Sequence, residues 1–132
     1  MVETALVLTL LVGMIFFIMN MGWILLMQQA VTERARQTLR SAVVHNWTAT
    51  ETANYLVYYS TTAPQNGGPG FLGLQTSQVT AQTLGTVGQP DYRLQVVVSG
   101  VPVVRWLPYN AAGTINLAPI KVTSPAQSLG AN

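Results

Sequence analysis

The sequence contains no cysteine. That excludes a disulfide framework and thiolate metal sites, so stability must come from packing or association. Charge is the second scarcity. Only 8% of the residues are Asp, Glu, Lys or Arg, against roughly a quarter in an ordinary soluble domain. A surface this poor in charge is covered by lipid or by copies of itself. The only basic cluster is Arg34, Arg36 and Arg40. It is too sparse to form a nucleic-acid face, and no nucleic-acid partner is expected.

The groups that carry catalysis are equally few. His45 is the single histidine, and Glu3, Glu33, Glu51 and Asp91 are scattered without metal-ligand spacing to it. A lone histidine at a helix end reads as a capping or surface residue. There is no phosphate loop, nucleophile elbow or dinucleotide fingerprint. Gly67-Gly68-Pro69-Gly70 is glycine-rich but lacks a following lysine and helix, so it reads as a turn. No catalytic, cofactor-binding or metal-binding residue is assigned, and the chain reads as a non-enzyme.

What the chain does have is a long apolar run. No charge interrupts Thr4 to Met27, and hydrophobic residues make up 49% of the whole. About 20 apolar residues cross the hydrocarbon core of a bilayer as a helix, so this run is long enough. It is apolar all round, unlike a one-faced surface helix. The helix is expected to continue, because residues 28–45 are rich in helix formers and contain neither Pro nor Gly. Val31, Ala35, Leu39, Ala42 and Val43 recur at spacings of three and four, which marks one apolar stripe. Glu33 can pair with Arg36 or Gln37 on the polar face. A helix over about residues 2–45 would be roughly 65 Å long. Its amphipathic back half wants a partner, which the C-terminal region can supply. Gly13 and Gly22 permit a bend, but without a proline the helix is expected to stay continuous.

Glu3 stands at the mouth of the apolar helix. One reading places it in the headgroup zone, where an acid is favourable at a helix N-terminus. The other keeps it buried and paired with an α-amine at Met1, its own or a neighbour's, where the pair would set axial register. The basic residues follow the apolar run and none precedes it. By the positive-inside tendency, such a nascent chain would keep its C-terminal region in the cytoplasm. A removed basic leader would resolve this, with Met1 not the translational start.

The head of the chain, Val2-Glu3-Thr4-Ala5-Leu6-Val7-Leu8, followed by the apolar run and by Arg36 and Arg40, resembles the TadE-like pilin-related proteins of tight-adherence systems. Their pattern is Val-Glu-Phe-Ala-Leu-Val-Leu-Pro, an apolar helix and an Ala-Arg-x-x-x-Arg continuation. The likeness covers the first 45 residues well and the rest loosely, through the alternating Val96 and Val98 and the late segment from Ile115 and Leu117 to Val122. Thr4 and Thr9 stand where the family has Phe and Pro, and the glutamate is third rather than fifth. The resemblance implies processing by a prepilin-type peptidase, contact with pilus assembly machinery, and Glu3 in the role of the pilin-type glutamate. Leu6, Leu10, Gly13, Phe17, Met21 and Leu25 are the positions expected to pack helix on helix.

Beyond the long helix, a break is expected at His45–Trp47. Thr48-Ala49-Thr50-Glu51 fits a capping box, so Ala49–Tyr59 reads as a short helix. A strand is the alternative, since Tyr55, Val57 and Tyr59 alternate with Leu56 and Tyr58. APQNGGPG is a loop. Four extended segments follow: Gln78–Leu84, Tyr92–Ser99, Val101–Trp106 with Pro102 near its start, and Ile115–Thr123 interrupted by Pro119. The fold class is therefore α+β. One long N-terminal apolar helix carries a small antiparallel sheet of three or four strands on its amphipathic half. The expected division is 1–46 for the helix and 47–132 for a β-rich unit, with SPAQSLGAN as a flexible tail.

Asn46-Trp47-Thr48 marks Asn46 as a glycosylation acceptor by pattern. Trp23 suits a membrane interface or a helix–helix contact. Tyr55, Tyr58, Tyr59, Trp106 and Tyr109 suit core or subunit contacts, since no basic groove accompanies them. The leading functional expectation is a structural subunit of an extracellular filament that serves attachment. It would be inserted in the inner membrane as a precursor and would then partner copies of itself. The alternative is a minor membrane-anchored component of a pilus-like secretion machine that does not polymerise. A single-pass protein whose outer domain binds a ligand or surface is a third, weaker reading.

Overall fold

The first element, α1, runs unbroken over Val2–His45. In the computed structural model the structure describes residues 2–65, 67–68, 70–86, 89, 91–104 and 114–125. Helix α1 ends where Asn46 takes a left-handed conformation, with φ of 55°. The Trp47 N–H then reaches back to the carbonyl of Ala42 at 3.1 Å. That six-residue closure satisfies a carbonyl the helix would otherwise leave unpaired, and asparagine tolerates the left-handed turn.

Thr48 then caps α2, Ala49–Tyr58. The Glu51 N–H donates to the Thr48 hydroxyl at 3.3 Å, and the Thr48 N–H donates to the Glu51 carboxylate at 2.8 Å. Of the two sequence expectations for this segment, the helix is the one realised. Leu56 and Val57 bury against the core, and an alternating strand pattern was present only because both faces of α2 carry large side chains. Tyr59 closes α2 at φ of 61°, a left-handed turn that costs a bulky side chain about 1–3 kcal/mol.

Two short 3₁₀ turns, Phe71–Gly73 and Thr76–Gln78, lead into the strands. These are β1 Val79–Leu84, β2 Arg93–Val98, β3 Pro102–Val104, β4 Thr114–Asn116 and β5 Ile120–Pro125. They form an antiparallel sheet in the order β1-β2-β5 and a separate two-stranded ribbon of β3 and β4. Val96 faces Ala81 on one side and Val122 on the other. Between β1 and β2, Gly85 turns at φ of 83°, where a side chain would overlap the backbone of Asp91.

The expected single sheet is thus divided, and the expected strand over 115–123 is really two. Pro119 has no N–H to give a ladder. The chain crosses from ribbon to sheet there, with Leu117 donating to the Val101 carbonyl at 3.0 Å on the ribbon side. Two residues assigned to the tail, Ser124 and Pro125, lie in β5 opposite Leu94 and Arg93. Of the extended segment expected over 101–106, Arg105 and Trp106 lie outside the described residues, as do Tyr109 and the last seven residues of the tail.

The core lies where the sheet and α2 close over the back half of α1. Val31, Ala35, Leu39 and Ala42 are buried as the stripe predicts, and Met27 and Thr38 join them. Opposite them sit Leu94, Val96 and Val98 from β2, Val79 from β1 and Ile120 from β5, with Leu56 and Val57 from α2. Alternation on β2 sends every second residue inward, so one strand supplies three core side chains. Val43 is only partly buried, at the margin of the stripe.

Candidate assembly helix

Ahead of Met27, no side chain of α1 is buried among the described residues, and only Ile24 still packs at the margin of the core. Residues 2–26 run for about 37 Å at about 1.5 Å per residue. Every side chain in this half is exposed or only partly covered. Its most apolar 18-residue window has a mean hydropathy of 2.4 and none of it is buried. The helix is therefore long and apolar enough to cross a membrane. By the usual transfer scale, leaving so many large apolar side chains in water is very unfavourable, so this half needs a covering.

The six positions expected to pack helix on helix all lie on this bare half. Phe17 is 68% exposed, Leu6 66%, Leu10 61%, Leu25 55% and Met21 50%. Their spacing of three and four residues puts them along one side of the helix. Gly13 interrupts that side with open space within 4 Å of where a Cβ would stand. Trp23 is exposed near the end of the bare half. Glu3 lies exposed in the first turn of α1. Its expected partner Met1 falls outside the described residues, so the two are not brought together here.

The polar side chains of the bare half look after themselves. The Thr9 hydroxyl donates to the Ala5 carbonyl at 2.8 Å, and the Asn20 amide donates to the Phe16 carbonyl at 2.9 Å. Bonds of this kind spare lipid or a neighbouring helix an unsatisfied donor. Helix polarity in this half is thus nearly silent, apart from Glu3.

At the other end of α1 a set of contacts that no local pattern announces ties the two helices together. Arg34 leaves α1 and donates to the carbonyls of Leu56 and Tyr55, at 3.4 and 3.5 Å, at the open end of α2. Its guanidinium lies 4.1 Å from the centroid of Tyr59 and 5.1 Å from that of Phe71. The rings continue upward: Tyr59 stacks on Tyr55 at 4.9 Å, Tyr55 meets Trp47 at 4.5 Å, and Trp47 stacks on His45 at 5.3 Å. His45 also bonds through Nδ1 to the Ser41 carbonyl at 3.0 Å, which fits its expected capping role. The available signal was the spacing of Tyr55 and Tyr59, one helical turn apart. Arg36 pairs with Glu33 at 3.8 Å on the exposed face, a contact worth little. Asn46 is exposed in the turn between the helices. Among the described residues, no three His, Cys, Asp or Glu side chains gather to hold a metal.

These features define a class: an α+β protein whose N-terminal helix is sheathed by a β-rich head over its back half and bare over its front half. A protein-family model described as TadE-like protein matches residues 1–40, the bare half and most of the covered half. The N-terminal segment is therefore TadE-like, as the Val2-Glu3 head and Arg36 and Arg40 lead one to expect, and the matched stretch is under a third of the chain. No curated protein and no solved structure matches it.

Proposed function

We propose that the chain is a structural subunit of an extracellular filament built by packing the bare halves of α1 from many copies. The observation that carries this reading is a single continuous helix, sheathed at residues 27–42 and uncovered before them. A rod half in and half out of its own protein needs either lipid or its own kind around the free half. The TadE-like match over that segment supports a pilus-related role. In this scheme residues 1–46 form the rod and 47–132 the outward head. The membrane holds the subunits before assembly, a prepilin-type peptidase matures them, and pilus machinery extracts them. The head, poor in charge, serves attachment at the cell surface.

Within the filament, Leu6, Leu10, Gly13, Phe17, Met21 and Leu25 pack rod on rod. The Glu3 carboxylate pairs with the Met1 amine of a neighbour and sets axial register. No step in this scheme requires a cofactor or a catalytic group.

Electron microscopy of surface material enriched in the protein tests the proposal. Filaments that label with an antibody to the head support it. Membrane-retained protein with no filaments, under conditions where the other pilus components are present, would favour the non-polymerising alternative instead.

A further inference from the structure

A cleft of about 300 Å³ opens between α1 and α2 on the side of α1 flanking the buried stripe. Arg34, Gln37, Thr38, Arg40 and Ser41 line it from α1, and Tyr55 and Tyr59 from α2. Every one of these side chains can donate a hydrogen bond, and no carboxylate is among them. In a chain with only six basic residues, two of them converge here. Among the described residues the only ion pair is Arg36 with Glu33, so neither Arg34 nor Arg40 is neutralised by an acid. Arg34 gives its Nε and one terminal nitrogen to long bonds with α2 carbonyls, which leaves donors on the other terminal nitrogen.

Thr38 makes an independent case. Thr9, Thr32 and Thr52 each satisfy their hydroxyl on the carbonyl four residues back, at 2.7–2.8 Å. Thr38, fully buried at 0% exposure, does not, and among the described residues its Oγ1 has no partner. A buried orphan hydroxyl is costly in a native structure and calls for a missing partner.

We propose that this cleft binds a phosphate group, held between the Arg34 and Arg40 guanidiniums, with the Tyr59 hydroxyl and, once a rotation about χ1 brings it to the cleft surface, the Thr38 hydroxyl completing its shell. A carboxylate is planar and is filled by one guanidinium fork. Here donors come from two helices and from several sides, which suits the tetrahedral oxygens of a phosphate. The phosphate has two chemical sources: a free phosphate compound, or the headgroup of an anionic lipid. Arg34 stands about 10 Å along α1 beyond Met27, where the uncovered apolar half ends, within reach of a headgroup layer.

The test uses the full-length chain in uncharged detergent, titrated with inorganic phosphate and followed by NMR shifts of the arginine Nε–H and tyrosine ring signals. A saturable response with a dissociation constant in the millimolar range is expected, weakened about tenfold by Arg40→Gln, the loss of one charge-assisted contact. Arg36→Gln removes the same charge one turn away, outside the cleft, and should change the constant less than about twofold. Thr38→Val removes only the hydroxyl and should weaken binding about threefold with the fold retained. In parallel, the chain is reconstituted in phosphatidylcholine bilayers with and without phosphatidylglycerol. An anionic-lipid shift of the same signals, lost in Arg40→Gln, assigns the headgroup as source. A response to inorganic phosphate without that lipid shift assigns a soluble phosphate compound. No saturable response to either probe overturns the proposal, and so does an equal loss in Arg36→Gln, which would reduce the effect to net charge.

Discussion

The guanidinium of Arg34 and the ring of Tyr59 are packed 4.1 Å apart, and each explains the other's unusual state. Tyr59 holds a left-handed backbone that glycine would take more readily. Arg34 is a half-buried cation with no acid paired to it among the described residues. The ring supplies a face for the cation, and the cation gives the Leu56 carbonyl a donor and the Tyr55 carbonyl, already bonded to the Tyr59 N–H, a second one. Arg34→Ala should therefore destabilise the head by about 1–3 kcal/mol, from the lost cation–π contact and the donor lost to the Leu56 carbonyl. Arg34→Lys should recover less than half of that, because an ammonium cannot both stack and fork. Thermal melts followed by near-ultraviolet circular dichroism of the tyrosines would measure both.

The start of α2 gives a pH dependence. The Thr48 N–H and hydroxyl donate to the Glu51 carboxylate and hold its pKa below the ordinary value of 4.5. A depressed folded-state pKa gives stability that is present above the unfolded value. It is lost as pH falls through the folded value. Melting temperature should thus be flat from neutral pH down to about 5 and decline below about 4. In Glu51→Gln that acid-side decline should shrink, which melts across the pH range would reveal. Thr48→Ala, which removes the hydroxyl half of the box, should cost about 1 kcal/mol at neutral pH.

Gly70 is needed for room. A Cβ there would overlap the carbonyl oxygen of Leu74 and the side chain of Val57. Both belong to the core, which cannot yield without shifting the loop that carries Phe71 under Arg34. Gly70→Ala should cost about 1–3 kcal/mol through overpacking. Gly68→Ala, two residues earlier with open space around it, should cost far less. Paired denaturation curves would show the difference.

Glu3→Ala tests the register role. It should cut filament yield by about tenfold or more while leaving membrane insertion unchanged, since removing an acid lowers the cost of entering lipid. Carbonate extraction reports insertion and sedimentation of sheared surface material reports yield. Normal yield in Glu3→Ala would count against any register role for the glutamate.

Much of this architecture could be read from the residues, and the readable parts share a cause. Helix α1 declares itself because its signals are local: no proline, few glycines, and Val31, Ala35, Leu39 and Ala42 on one stripe. The Thr48–Glu51 box likewise lies within four residues. Strand β2 is visible because residues 92–99 are rich in valine and place Leu94, Val96 and Val98 two apart. The parting of the strands into sheet and ribbon was less so. It depends on Leu117 meeting Val101 and on β5 returning past β4 to β2, pairings that no local pattern encodes. Arg34 was read only as one of three basic residues. Its contacts with Tyr55, Leu56, Tyr59 and Phe71 lie at least 21 positions away along the chain. Thr38 passed as one more polar residue on a helix, since only the closed core shows that its hydroxyl is left over.

The turn at Asn46 sends α2 back beside α1, so that Tyr59 comes level with Arg34 rather than beyond His45. The β-rich unit therefore lies against one side of the rod instead of standing on its tip. In the proposed filament, or in a bilayer, a shoulder at a fixed height works as a depth stop on that side near Met27, while the face carrying Glu33, Arg36 and Arg40 stays open. On the shoulder's side the free length of rod is the roughly 37 Å ahead of it.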